Sequence, residues 1–211
     1  MEIYTSEKEQ LEQIRDWFKK YGMSIVLGVA IAFVITFGWR FWQQRQVTLG
    51  QQASQLYEQL LAVQTPQANA PNPQATQIAN ELILNYKRTP YAGLAALMLA
   101  SDAVQQGQLD LAEQKLQWVI ANARTKPMEQ IAKIRAARVL IAQNKSQQAL
   151  QLLNKVSDQA YIAEIDAVKG DAYAALGKTA EAQAAYQSAL DVMPKDAVLR
   201  PLVQMKLANL P

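Results

Sequence analysis

Residues 163–196 read Ala-Glu-Ile-Asp-Ala-Val-Lys-Gly-Asp-Ala-Tyr-Ala-Ala-Leu-Gly-Lys-Thr-Ala-Glu-Ala-Gln-Ala-Ala-Tyr-Gln-Ser-Ala-Leu-Asp-Val-Met-Pro-Lys-Asp. Small, turn-forming and aromatic residues are spaced along it as a pair of close-packed helices requires. Gly170 lets the first helix approach the second. Gly177 tolerates the positive φ of a tight turn. Ala182 permits a close crossing, Tyr186 fills the space between the helices, and Pro194 ends the second one.

Counted from Ala163, residues Gly170, Gly177, Ala182, Tyr186, Ala189 and Pro194 take positions 8, 15, 20, 24, 27 and 32 of a 34-residue unit. That is the spacing of a tetratricopeptide repeat. Two weaker copies precede it. One has Asn144 at the turn, with Ala137, Ala149, Leu153 and Val156 at the small and apolar positions. The other has Gly107 at the turn, with Ala100, Ala112, Leu116 and Val119. The interval from Gly107 to Asn144 is the longer of the two, and its extra residues fit around Asn122–Pro127. The Trp of the consensus is missing, since Ala96, Lys133 and Asp166 stand at position 4. Residues 43–64 with 74–87 make a more degenerate pair, separated by a turn-rich loop over 65–73. Asp196–Leu210, with Pro201 near a helix start, is expected to cap the array. No alternating strand pattern occurs in the sequence.

Upstream, residues 21–39 form one run without a charged side chain. At 1.5 Å per residue it makes a helix of about 28 Å, matching the ~30 Å hydrocarbon core of a bilayer. Lys19, Lys20 and Arg40 bound it, with Tyr21, Trp39 and Trp42 at interfacial positions. A secretory signal has a shorter apolar core and ends in small residues, whereas this run ends in Phe37-Gly38-Trp39-Arg40-Phe41-Trp42. Lys8, Arg15, Lys19 and Lys20 precede the run, and only Arg40 and Arg45 closely follow it. The positive-inside bias then places the N-terminus in the cytoplasm. The expected fold is all-α: a cytoplasmic segment over 1–20, a transmembrane helix over 21–42, and a helical-repeat solenoid over 43–211 on the far side of the membrane. Ser6 and Glu9 have capping-box spacing ahead of Leu11, Ile14, Phe18 and Tyr21. Nothing breaks the helix between Arg40 and Pro66, so the anchor is expected to run on into the repeats.

The chain has no His and no Cys. The commonest general base and metal ligand are thus missing, as are thiols for disulfides. No residue set forms a recognisable catalytic or cofactor-binding motif. Glu164, Asp166 and Asp171 read as solvated helix faces. The net charge of +3 shows no clustered basic face of the kind a nucleic-acid binder carries. Binding surfaces are the better prospect. The first helices of the pairs supply Leu94, Leu97, Ser101, Ile131, Ile134, Arg138 and Asp171 to a groove for an apolar segment, with Arg138 pairing to a carboxylate. The competing reading is that these apolar residues pack against neighbouring pairs. On the anchor, Ser24, Gly28, Ala32 and Thr36 form a stripe of small residues suited to close helix contact in lipid. Degenerate repeats fit a heteromeric scaffold or a homo-oligomer equally.

The opening Met1-Glu2-Ile3-Tyr4, the anchor end Gly38-Trp39-Arg40-Phe41-Trp42 with Gln46, Tyr91-Ala92-Gly93-Leu94-Ala95-Ala96 and Gln204-Met205-Lys206-Leu207-Ala208-Asn209-Leu210 resemble the YfgM family. The resemblance runs from end to end. It implies an ancillary subunit of the SecYEG translocon in the bacterial inner membrane, with a periplasmic repeat domain working beside the membrane-anchored chaperone PpiD. It also implies an alternative, a regulatory tether whose cytoplasmic segment restrains a stress-response regulator. No catalytic residue and no cofactor is carried over.

Overall fold

The computed structural model describes residues 3–64, 72–156 and 158–211. Most of the expected 65–73 loop lies outside the described residues, as do the side chains of Ser6, Glu9 and Phe18. Among the described residues there is no strand. The chain divides into two compact units, Met1–Leu49 and Gly50–Pro211.

The first unit is the greater part of helix α1, which runs from Ile3 to Val63. Among the described residues, α1 is the one helix long and apolar enough to cross a membrane, and no residue of its most apolar stretch is buried. Phe33 and Phe37 stack at 5.8 Å, and Trp39 and Trp42 meet at 5.4 Å. These are neighbours on one helix face, which residues three and four apart must be.

The second unit begins with the last turns of α1. It continues through α2 (Pro73–Asn85), α3 (Pro90–Gln105), α4 (Leu109–Asn122), α5 (Lys126–Ala142), α6 (Ser146–Leu153), a 3-10 turn (Gln159–Tyr161), α7 (Ile162–Ala175), α8 (Thr179–Val192) and α9 (Arg200–Ala208). Asn72 joins the first two helices here. Its side chain accepts from the Gln74 N–H at 2.9 Å, capping α2, and donates to the Val63 carbonyl at 2.7 Å, closing the end of α1. Ala53 and Leu60 of α1 are fully buried in one cluster with Ala75, Ala79 and Leu82 of α2. The last turns of α1 and helix α2 therefore share one core with the helices that follow.

The three later pairs turn in the same way. Gly107 and Gly177 have φ of 71° and Asn144 of 62°, the positive-φ residues among those described. The Gly107 N–H donates to Val104 O and the Gln108 N–H to Ala103 O, at 3.0 and 2.8 Å. Asn144 and Lys145 donate to Ile141 and Leu140, and Gly177 and Lys178 to Ala174 and Tyr173, in the same register. This is the Schellman closure of a helix, whose left-handed residue is usually Gly. Asn enters that region more readily than other side-chain-bearing residues.

Within each pair the small residues lie in the contact. Ala112, Ala149 and Ala182 are fully buried, and so are Ala137 and, nearly, Ala100. The position-24 residues Leu116, Leu153 and Tyr186 are each no more than 3% exposed. At the consensus Trp position, Ala96 is fully buried and Lys133 is 9% exposed. The Lys133 ammonium is neutralised by Glu129 and donates to the Lys155 carbonyl at 3.3 Å.

Three details depart from the sequence reading. Helix α6 has only eight residues, so Val156 lies beyond its end. Val156 packs against Ile134, Leu153 and their neighbours from that turn. Pro127 sits in the first turn of α5, where its missing N–H costs nothing, so the extra residues lengthen α5 itself. The carboxylates on α7 also do more than face solvent. Glu164 pairs with Arg138 of α5 at 2.8 Å, and Asp166 accepts from Ser188 Oγ of α8 at 2.7 Å. Asp171 is tied to both α8 and α9, as described below.

Candidate functional site

Helices α3, α5 and α7 pack side by side as one layer, and each is followed by its partner helix α4, α6 or α8. Between α3 and α5, above α4, lies a cavity of about 300 Å³. Leu97, Ala100, Ser101 and Val104 form the α3 wall, and Leu109 and Leu116 come from α4. Arg135, Arg138, Val139 and Ala142 form the α5 wall. The lining holds two guanidinium groups, one hydroxyl and no carboxylate. Arg135 is exposed and has no partner among the described residues. Arg138 keeps 44% of its side chain exposed while paired to Glu164. Asp102 is outside the lining, and burial raises its carboxyl above the usual value.

Of the residues that the sequence singles out, Leu97, Ser101 and Arg138 come together around this cavity. Leu97 is only 9% exposed and also belongs to the core. Leu94 and Ile131 are half-buried outside the lining. Ile134, at 1% exposure, sits inside the second core cluster and has no surface to offer. Arg135, Val104 and Leu109 were missed. Arg135 precedes Arg138 by three positions, so helical spacing alone puts both on one face.

Asp171 lies elsewhere, in a bonded group that joins three helices. Tyr186 Oη of α8 donates to Asp171 Oδ1 at 2.7 Å, and Lys206 Nζ of α9 donates to both carboxylate oxygens at 2.7 and 2.8 Å. Arg200 fastens α9 from its other end, donating to the carbonyls of Leu190 and Met193 at 2.8 and 2.7 Å. Burial, and then the bond to the Asp171 carboxylate, push the Tyr186 phenol well above its ordinary value. A folded-state phenol that binds its proton more tightly than the unfolded one contributes stability below pH ~10 and loses it as the pH rises beyond. Between pH 9 and 11.5 the urea midpoint is expected to fall more steeply for the natural chain than for Tyr186→Phe. Parallel curves in urea titrations of the two would contradict this.

On the candidate membrane span, Ser24, Gly28, Ala32 and Thr36 are all exposed. The Thr36 hydroxyl donates back to the Ala32 carbonyl at 2.7 Å, so it is satisfied within its own helix. A Cβ added to Gly28 would meet no atom within 4 Å. Among the described residues no group of three or more Asp and Glu side chains is placed to hold a metal ion.

A candidate membrane span followed by stacked helical pairs, with grooves between them, defines a class of protein: a tetratricopeptide-like repeat array on a candidate anchor. The family model described as a tetratricopeptide repeat-like domain matches residues 15–211. Among curated proteins, the chain is 33% identical to one from Aggregatibacter actinomycetemcomitans over 98% of this chain and 99% of that one. It is 29% identical to one from Neisseria gonorrhoeae over the full length of both. With one from Escherichia coli K12 it shares 27% identity over 100% of this chain and 99% of the other. Each of these relatives is named an ancillary SecYEG translocon subunit. The chain belongs to this tetratricopeptide-like family of proteins, the YfgM family. No solved structure matches it.

Proposed function

We propose that this protein is a non-catalytic, membrane-anchored adaptor of the Sec translocon, whose repeat domain links translocated polypeptides to periplasmic folding factors. The observation that carries the reading is end-to-end similarity to relatives named ancillary SecYEG translocon subunits, across the candidate span and the repeats alike. The basic residues ahead of the apolar run support a cytoplasmic N-terminus in the inner membrane, with residues 43–211 in the periplasm. In that compartment the membrane-anchored chaperone PpiD is the expected neighbour.

Two measurements test this. Purification of the full chain from crosslinked membranes is expected to bring down SecY and PpiD, and to do so equally after deletion of residues 2–16. A cytoplasmic stress-response regulator captured by the full chain and lost on that deletion would favour a regulatory tether working through the N-terminal segment. Absence of both SecY and PpiD from the full-chain sample would end the adaptor reading. Because the chain lacks Cys, single introduced cysteines report topology cleanly. Val198, 93% exposed, when changed to Cys is expected to react with an impermeant maleimide in spheroplasts. Glu12→Cys is expected to react only after lysis, and the reverse pattern would invert the topology.

A further inference from the structure

We infer that the cavity between α3 and α5 is a docking pocket for an acidic segment within another polypeptide, one that carries a large apolar side chain beside its carboxylate. The inference deepens the adaptor reading and rests on its premise that the repeat domain binds proteins.

Four observations point to that occupant. The volume of about 300 Å³ has room for one or two large side chains but not for a whole helix. The larger part of the lining is apolar, with Leu97, Val104, Leu109, Leu116 and Val139 among its residues. The charged groups in the lining are Arg135 and Arg138, with no carboxylate among the lining residues to answer them. Finally, the two arginines are bound differently. Glu164 holds Arg138 in place from the α7 side at 2.8 Å, while Arg135 has no partner among the described residues.

A guanidinium held beside an apolar cavity offers planar donors to a carboxylate and little to a neutral chain. A purely apolar segment would leave the Arg135 cation facing a dry surface while Arg138 keeps Glu164, and a basic one would be repelled. Charge complementarity therefore selects an acidic partner, and the apolar walls give it affinity. Carboxylates along a polypeptide fit two guanidinium groups three residues apart on one helix, because they allow the chain to lie across α5.

The test uses the full chain in detergent micelles, so it does not depend on whether the translocon is the partner. Two phage libraries of random twelve-residue peptides serve as probes, one displayed without a free C-terminus and one with it. The first library is expected to yield a consensus in which Leu, Met or Phe lies within a few residues of Asp or Glu. A capped synthetic peptide of that consensus is expected to lose roughly tenfold or more in affinity when its acids become amides, and a similar factor on the variant Arg135→Glu. Since Arg135 is exposed and has no partner among the described residues, that variant is expected to keep its helicity. Arg138→Gln supplies a second variant, free of a new charge facing Glu164. A charge placed at Leu97 would instead test the core.

Selection repeated on Arg135→Glu is expected to turn the consensus from acidic to basic. The proposal is overturned by no enrichment, by a consensus without acids, by acids selected only as a free C-terminal carboxylate, or by affinity unchanged in both variants. SecY copurifying normally in any of those cases would leave the adaptor reading standing without this pocket.

Discussion

Gly170→Ala is expected to destabilise the repeat domain by about 1–3 kcal/mol, although Ala is the better helix former by ~1 kcal/mol. A Cβ built on Gly170 would lie 2.5 Å from both Cδ1 and Cε1 of Tyr186, and 2.9 Å from its Cγ. That ring cannot simply swing aside. It is 3% exposed, packed among Ala182, Ala189 and Met193, and fastened by its hydroxyl to Asp171. The other pairs carry Ala at the first of these positions and Leu at the second, as Ala100 with Leu116 and Ala137 with Leu153. Gly with Tyr and Ala with Leu are thus two volume solutions to one contact. The double change Gly170→Ala with Tyr186→Leu converts the last pair to the solution used by the others. It is expected to be more stable than Gly170→Ala alone in denaturant unfolding of residues 50–211 within the full chain. A single variant as stable as the natural chain, or a double variant no better than the single, would refute the close-contact argument.

Leu60→Ala is expected to cost about 2–5 kcal/mol, the range for emptying a fully buried leucine site. The neighbouring Leu61→Ala is expected to change stability by no more than about 0.5 kcal/mol. The two residues are adjacent in sequence and chemically identical, but Leu60 is 0% exposed and Leu61 51%. Both lie in the last turns of α1, beyond the apolar run over residues 21–39. The pair therefore measures whether those turns belong to the hydrophobic core of the repeat unit. Ala53, Leu60 and the half-buried Tyr57, whose ring lies 5.6 Å from that of Tyr91, are the contacts that would say so. Thermal unfolding by circular dichroism in micelles reads both variants. Equal effects at 60 and 61 would mean that this part of the helix is not packed as described.

The repeat spacing was legible because close helix packing leaves few choices at its narrowest points. Gly107, Asn144 and Gly177 stand out in sequence as turn residues, and all three adopt positive φ. The alanines at the crossings are equally visible, since any larger side chain would hold the helices apart. What spacing does not reveal is where a helix stops when no Pro or Gly ends it. Helix α6 closes at Leu153 with Asn154 as its cap residue, and Val156 reaches the core from the following turn. An apolar residue at the right interval looks the same from either backbone.

The candidate site was legible only in part, for a similar reason. Helical periodicity assigns residues to a face, but a helix in a stack has several faces, and two of them are buried. Leu97, Ser101 and Arg138 reach the cavity, whereas Ile134, also singled out for its helical position, points into the second core cluster. Asp171 shares its repeat position with Ser101 and Arg138, which is what puts it among the expected groove residues. Its actual partners, Tyr186 and Lys206, are 15 and 35 positions away, a separation at which local periodicity says nothing.

Composition and spacing alone settled an all-helical chain, an apolar run of membrane-spanning length and a repeated small-residue pattern, because those depend on short-range backbone sterics and on length. Tertiary structure decided which carboxylates bind neighbouring helices, which leucine of an adjacent pair is buried, and that Arg135 and Arg138 face one apolar cavity without an acid in its lining. Those outcomes depend on how helices distant in sequence are brought together, and a pattern within one helix does not carry that information.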